Sequence, residues 1–507
     1  MKTLFQSFLY CLAVLLLSSS CKQSSKVVLK SDYEANWESL KEHQPTPDWL
    51  YDAKFGIYFH WGIYCVPAFG SEWYPRFMFQ KETGNYAYHT EHFGDPAEFG
   101  YHDFVPMFKA EYFDAAQWVD LFEKTGAKFA GPSVEHCDGF SMWASEINPW
   151  NVKDMGPKRD ITAEIKQELD KRNMKMIATF HHARHLQRYA DKPDETEFND
   201  SHFPFIEGMP TRSEDPLLRI LYGYVPEEEW LEKHFYGKIK EVIDGYEPDI
   251  LWFDSWLDRI PSEWRAKSCA YYINEMAKKG KEVAIVRKSN DLPIEMSIEN
   301  YEKSRKVTGD NRVWMADETI STNSWSYVND MVVKTPEELI HVLVDIVSKN
   351  GIFLLNISPK ADGTIPSDQQ EVMLAIGKWL KNNGEAIYSS RPWYIYGEGP
   401  TKEPEGGFGK WEEFLHLRYT EDDVRYTTQG NTIYATILGN PQPGKEYLLQ
   451  AFSEASLPHD LKVKKITLTG SKENIDWKQT PQGLALTVPQ HSKQEAIVFK
   501  VETQSKK

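Results

Sequence analysis

From Phe55 to Ser358 the chain alternates short apolar runs with longer amphipathic stretches. The runs are FGIYFHW (55–61), KFAGPSVEH (128–136), MKMIATFHH (174–182), DILWFDSW (249–256), EVAIVRKS (282–289), IEMSIENYE (294–302), VWMADET (313–319) and GIFLLNIS (351–358). Short runs of this kind suit strands buried on both faces. Several intervals carry a helical period instead. In 113–126, Phe113, Ala116, Trp118, Leu121 and Phe122 fall near one face, and Gly126 is placed to end the helix. The stretches 230–246 and 336–351 behave likewise, the latter opening at Pro336 and closing at Gly351. Eight strands interleaved with helices predict an α/β fold, a (β/α)8 TIM-like barrel over residues 46–390. The interval between the sixth and seventh strands is short, so a helix is expected to be missing or degenerate there.

After Arg391-Pro392-Trp393 the texture changes. NTIYATIL (431–438), KVKKITLTG (462–470), LALTVP (484–489) and EAIVFKVE (495–502) are short, β-rich and separated by Gly, Pro and Asn. They predict a C-terminal antiparallel β-sandwich over 391–507. No internal repeat is present.

At the other end, Lys2 precedes the ten-residue apolar run FLYCLAVLLL (8–17), then Ser18-Ser19-Ser20-Cys21. A bilayer span needs about 20 apolar residues, so residues 1–20 read as a signal peptide. Small residues leading to a Cys resemble a lipoprotein cleavage site, which would leave Cys21 as the lipidated first residue. The alternative is an ordinary cleavage site. Residues 22–45 are polar and read as a tether with a first helix. The expected location is the periplasm or the outer membrane, with membrane contact only through the lipid.

Composition narrows the function. Hydrophobic residues make up 41% and charged residues 26%, as in a globular protein. The net charge of −17 argues against nucleic acid or an anionic membrane as a partner. Aromatics reach 14%, which fits either a large core or a surface that packs on sugar rings. Beyond Cys11 and Cys21 only Cys65, Cys137 and Cys269 remain, scattered, with neither a disulfide framework nor a CxxC pattern.

The active site of such a barrel lies at the C-terminal ends of its strands. There this chain carries His60, Glu135-His136-Cys137-Asp138, His181-His182, Asp254, Arg287, three glutamates (Glu295, Glu299, Glu302) and Asp317-Glu318. Any one of these can be a hydrogen-bonded core group or a helix cap. Together they converge on one crevice, where charge needs a partner or a role. Two chemistries fit. Metal-dependent hydrolysis would use the His and Asp groups, but HExxH and HxH are absent. Glycoside hydrolysis would use two carboxylates flanking the bond to be broken.

The motifs then match a known family. KFGIYFHWGIYCVPAFGSEWY (54–74), EHCDGFSMW (135–143), YEPDILWFDSW (246–256), the W-x-x-x-E-T-x-S-x-x-S-W-x-Y run (314–327) and LLNISPKADGTIP (354–366) occur in order. The chain resembles glycoside hydrolase family 29, the retaining α-L-fucosidases. The resemblance implies an exo-acting hydrolase that releases terminal α-L-fucose from glycans by double displacement, without a cofactor or metal. It places the nucleophile on Asp254. It places sugar contacts on His60, Glu72, Trp73, His136 and Trp252. Cys137 stands where the family often has a second His, and His181-His182 stand where aromatics are common. Those departures make Cys137, His181 and His182 candidates for sugar specificity and leave an α-L-galactosidase as an alternative. A glycan-binding lipoprotein without catalysis is the alternative from another class. For the acid/base, Glu302 is favoured by its spacing of 12 residues before Trp314. Glu299 is the runner-up, because the interval from Arg287 to Glu299 also fits the family, and Glu295 is third. Arg287 is a further candidate sugar contact. In this reading Asp254 is ionised and Glu302 protonated before reaction.

Overall fold

The computed structural model describes residues 29–188, 201–407, 409–458 and 461–505. The signal peptide and Cys21 lie outside the described residues. Eight parallel strands close into a barrel in chain order. They are β1 (Phe55–Phe59), β2 (Phe129–Glu135), β3 (Lys175–Phe180), β4 (Ile250–Phe253), β5 (Ala284–Arg287), β6 (Ile298–Glu302), β7 (Trp314–Thr319) and β8 (Gly351–Ile357). Strand side chains alternate between two faces. Tyr58, Phe129, Ile177, Ile250, Trp252, Val286, Ile298, Met315 and Leu354 fill the barrel interior. Their neighbours Phe59, Ala130, Phe180, Phe253, Ile285, Ala316 and Leu355 face the surrounding helices. Leu50 and Ala53 of a short preceding helix join the interior cluster.

The outer helices are α1 (Ala115–Thr125), α2 (Ile161–Lys171), α3 (Lys238–Tyr246), α4 (Ser262–Lys278), α5 (Pro336–Ser348) and α6 (Ser367–Asn383). Local chemistry sets their ends. Asp114 caps α1 by accepting the Ala116 and Gln117 N–H groups, and Gly126 ends it at φ +96°. Thr335 and Glu338 form a reciprocal capping box at the start of α5. Gly351 does not end that helix. It opens β8, where a side chain would stand 2.4 Å from Ile346. The predicted 230–246 helix begins with a π-helical stretch, Trp230–Gly237, before α3.

Two connections are bare rather than the one expected. No helix follows β5, where Pro293 interrupts the chain, and none follows β6, where the link is short and polar. The described part of the expected tether is not free. Trp37 donates its indole N–H to Ser262 of α4 at 2.7 Å, and Leu40 is fully buried.

The C-terminal part forms two antiparallel sheets. One contains β13 (Leu461–Leu468), β16 (Ile497–Ser505), β11 (Thr432–Ile437), β10 (Val424–Gln429) and β9 (Arg391–Glu398), in that order. The other contains β12 (Glu446–Leu449), β15 (Gly483–Thr487) and β14 (Trp477–Thr480). Alternation works here too: Ile433, Ala435, Phe499 and Val501 face the sandwich core, while Tyr434 and Val498 pack on the barrel.

Candidate active site

The inward rows of five strands lead at their C-terminal ends into a crevice. Two residues beyond Tyr58 comes His60. Beyond Thr179 comes His181, beyond Trp252 comes Asp254, beyond Val286 comes Lys288, and beyond Asn300 comes Glu302. In β2 a bulge between Ser133 and Glu135 resets the alternation. Ser133 and His136 face inward, where Ser133 bonds His181 at 3.1 Å and the His136 ring lies 5.1 Å from that of His181. Glu135 faces outward into a fully buried ion pair with Lys238 of α3 at 2.7 Å.

Lys288 is the centre of the charge arrangement. Its ammonium is 2.6 Å from Asp254 Oδ1 and 3.0 Å from Glu302 Oε2. The two carboxylate oxygens therefore lie within about 5.6 Å of each other, the combined length of those contacts. Burial pushes Glu302 upward, but Lys288, Lys303 and a hydrogen bond from the Trp325 side chain outweigh it and hold Glu302 below the usual carboxylate range. In this arrangement the neighbouring cations favour the ionised form of Glu302. Asp317, deeper in the barrel, accepts hydrogen bonds from Asn300 at 2.5 Å and Tyr58 at 2.9 Å. Burial pushes it up to about 7.

Three imidazoles form the opposite wall. The His60 ring lies 4.9 Å from His181 and 5.5 Å from His136. Burial drives all three toward the neutral form, His60 to about 4. Asn356 fixes the His60 tautomer. Its amide NH2 donates to Thr319 Oγ1 and the Trp325 carbonyl, so its oxygen accepts from His60 Nδ1 at 2.8 Å. His60 Nε2 is left as an acceptor. The His136 Nδ1 and the Trp252 indole N–H are buried without a partner among the described residues. Buried polar groups of this kind call for a polar ligand. Glu72 is buried, raised above its ordinary range by that burial, and accepts the Trp325 backbone N–H at 3.3 Å. Trp73 stands edge-on to His136, with ring centroids 6.3 Å apart. Arg184 is held between the faces of Trp73 and Trp256, at 5.0 Å and 4.2 Å. Trp256 adopts φ +74°, an uncommon conformation for a large side chain, two residues after Asp254.

Several predicted site residues are placed elsewhere by strand parity. Arg287 points out of the barrel, bonding Asn290 at 3.1 Å and lying 3.8 Å from Glu299. Glu299 also faces outward, with Tyr301 and Lys306 around it. Glu295 is exposed on the preceding loop. His182 lies behind the wall, stacked on Phe235 with centroids 5.3 Å apart. Cys137 is buried beside the site, and its thiol donates to the His181 carbonyl at 2.8 Å. Lys288, Trp325 and Asn356 had no predicted role. Counting by twos along β5 from Val286 would have found Lys288. Trp325 and Asn356 stand inside the recognised motifs. His202, fully buried and 5.3 Å from Trp73, comes from the long β3–β4 connection and carries no such signal.

The fold and these motifs have known counterparts. The family described as Alpha-L-fucosidase matches residues 20–385, and the Alpha-L-fucosidase C-terminal domain matches residues 418–502. Tissue alpha-L-fucosidase of Mus musculus is 30% identical, over 90% of this chain and 91% of its own length. The Homo sapiens tissue alpha-L-fucosidase is also 30% identical, over 90% of this chain and 88% of its own. The crystal structure of Thermotoga maritima alpha-fucosidase matches with a TM-score of 0.72 and 26% identity, covering 93% of this chain and 100% of that one. The same Thermotoga protein in complex with fucose matches with a TM-score of 0.70 at 26% identity, over 92% and 100% of the two chains. The chain belongs to the α-L-fucosidases of glycoside hydrolase family 29, through both its barrel and its C-terminal domain.

Proposed function

We propose that this glycoside hydrolase cleaves terminal α-L-fucosides with retention, using Asp254 as nucleophile and Glu302 as acid/base. The observation that carries the assignment is the single ammonium of Lys288 touching both carboxylates. It holds their contacting oxygens no more than about 5.6 Å apart, a limit that admits the roughly 5–5.5 Å of retaining enzymes. The sugar ring enters the crevice between the histidine wall and Trp252. His60 Nε2 accepts from a ring hydroxyl, and the Trp252 and His136 nitrogens supply further contacts. The entering glycosidic oxygen displaces Lys288 from Glu302, and burial then favours the protonated carboxyl. Asp254 attacks the anomeric carbon as the bond to the leaving oxygen breaks, and Glu302 gives that oxygen its proton. In the second half Glu302 takes a proton from water, whose oxygen displaces Asp254.

Replacing Asp254 with Ala is expected to lower turnover by about 10³-fold or more without loss of fold. Added azide should partly restore the rate and yield the inverted glycosyl azide, because a small anion fits the vacated space. Retention of more than about a tenth of the wild-type rate would remove Asp254 from the mechanism.

The same proposal places the enzyme on a lipid anchor outside the cytoplasm, on the strength of the short apolar run before Cys21. Cys21→Ser should move the protein from the membrane fraction to the soluble fraction. A mature N-terminus at another residue would indicate an ordinary signal peptide.

A further inference from the structure

A second cavity, of about 310 Å³, has in its wall Lys303, the residue that follows Glu302. Lys303, Glu318, Thr335, Trp411, Phe414 and Arg418 are among the residues that line it. Its outer wall comes from the segment between β9 and β10 of the C-terminal sheet. That segment crosses directly over the bare β6–β7 link: Ser304 donates to the Gly407 carbonyl at 3.1 Å, and a side chain on Gly406 would stand 1.8 Å from the Arg305 carbonyl oxygen.

Lys303 connects this cavity to the catalytic crevice. It follows Glu302 and turns at φ +45°. Its ammonium lies 4.5 Å from the ring of Trp325, which hydrogen-bonds Glu302, and 5.4 Å from the ring of Trp411. Among the described residues Lys303 makes no ion pair. Elsewhere in the wall Lys334 pairs with Glu318 at 2.6 Å, and Arg418 pairs with Glu338. Trp411 is 37% exposed, a large aromatic face open to solvent.

We propose that this cavity holds the leaving part of the substrate, a neutral oligosaccharide, with Trp411 as the platform for a sugar ring and Lys303 as a donor to its hydroxyls. The inference rests on Glu302 as the acid. The group that delivers the proton must touch the leaving oxygen, so whatever that oxygen carries lies next to Glu302, and the following residue, Lys303, lines the cavity. The wall carries charge of both signs, Lys303, Lys334 and Arg418 beside Glu318, Glu337 and Glu338, which favours hydroxyl-rich neutral sugars over anionic ones. The volume is at the lower end for ligand sites and suits one or two rings.

The test compares 4-nitrophenyl α-L-fucoside, which has almost no leaving part, with 2′-fucosyllactose and 3-fucosyllactose. In Trp411→Ala, kcat/KM on the better-cleaved fucosyllactose should fall about tenfold, while the aryl fucoside changes less than about twofold. Trp411→Phe should recover most of the loss. Lactose should inhibit aryl fucoside hydrolysis by the wild type and inhibit Trp411→Ala more weakly. Equal losses on both substrates, or none on either, would overturn the proposal. So would a wild type that cleaves the aryl fucoside and neither fucosyllactose. A wild type inactive on the aryl fucoside would instead overturn the catalytic reading on which it rests.

Discussion

The ammonium of Lys288 is buried between two carboxylates, and its charge governs the protonation of Glu302. An opposite charge within about 4–6 Å lowers a carboxyl by roughly 1–3 pKa units, while burial raises it. Around Glu302 the cation wins. Removing it takes away the largest influence opposing burial and should raise Glu302. The protonated acid then persists to higher pH. For Lys288→Met the alkaline limb of the pH profile of kcat/KM is therefore expected to move up by about one unit or more. The limb is read from initial rates on the aryl fucoside between about pH 4 and 9. A limb that stays in place or moves down would show that Lys288 does not set the charge of Glu302. Asn356 acts at the same scale through His60, by fixing which imidazole nitrogen faces the crevice.

Strand alternation decides between the two candidate acids. In β6, Ile298 and Asn300 face the barrel interior, so Glu302 does as well, and Glu299 and Tyr301 face outward. A general acid matters most when the leaving group is poor. Glu302→Ala should therefore slow a fucosylated oligosaccharide about 10²-fold more than an aryl fucoside that needs little protonation. Glu299→Ala should affect the two substrates about equally, because its contacts are with Lys306, Tyr301 and Arg287 on the outer face. Leaving-group dependence in Glu299→Ala and not in Glu302→Ala would reverse the assignment. The same alternation places Arg287 and His182 behind the wall and brings Lys288 and His181 to the front.

At the scale of the molecule, the two bare connections open one flank of the barrel, and the C-terminal half closes it. A buried charge network marks the joint. Asp345 of α5 accepts from Lys349 at 2.8 Å, from Arg425 of β10 at 2.6 Å and pairs with Arg305 at 3.2 Å. Glu403 pairs with Arg425 at 2.6 Å and also with Lys349. Burial alone would raise Asp345, but the three cations outweigh it and hold it below the usual carboxylate range. Its stabilising contribution is thus complete above the unfolded value of about 3.9 and is lost as pH falls further. Asp345→Asn leaves buried cations without a counter-charge and should cost about 3–5 kcal/mol. Denaturant melts at neutral pH would show the loss. Melts below about pH 4 should show the difference shrinking, since the wild type is then losing the same charge. A variant as stable as the wild type at neutral pH would mean that the network contributes nothing net.

Much of this architecture is legible in residue order. The eight apolar runs correspond to the eight barrel strands, because a strand buried on both faces must be apolar along its length. Four of the C-terminal strands fall on the β-rich segments. The remaining four do not stand out: β12 and β14 are only four residues each, too short for a pattern to repeat. Within the candidate site, the motifs point to Asp254, His60, Glu72, Trp73, His136 and Trp252, and all of them converge. What sequence cannot supply is which face a strand end presents when a bulge intervenes, as at Ser133–Glu135, or which distant charges meet. Asp254, Lys288 and Glu302 come from three different strands and touch only because the barrel closes. The cavity beside Lys303 depends on the path of the β9–β10 segment across the β6–β7 link. Hydrophobic periodicity records which positions are buried; it carries no record of which buried positions become neighbours, and here those neighbours set the charge of the proposed acid.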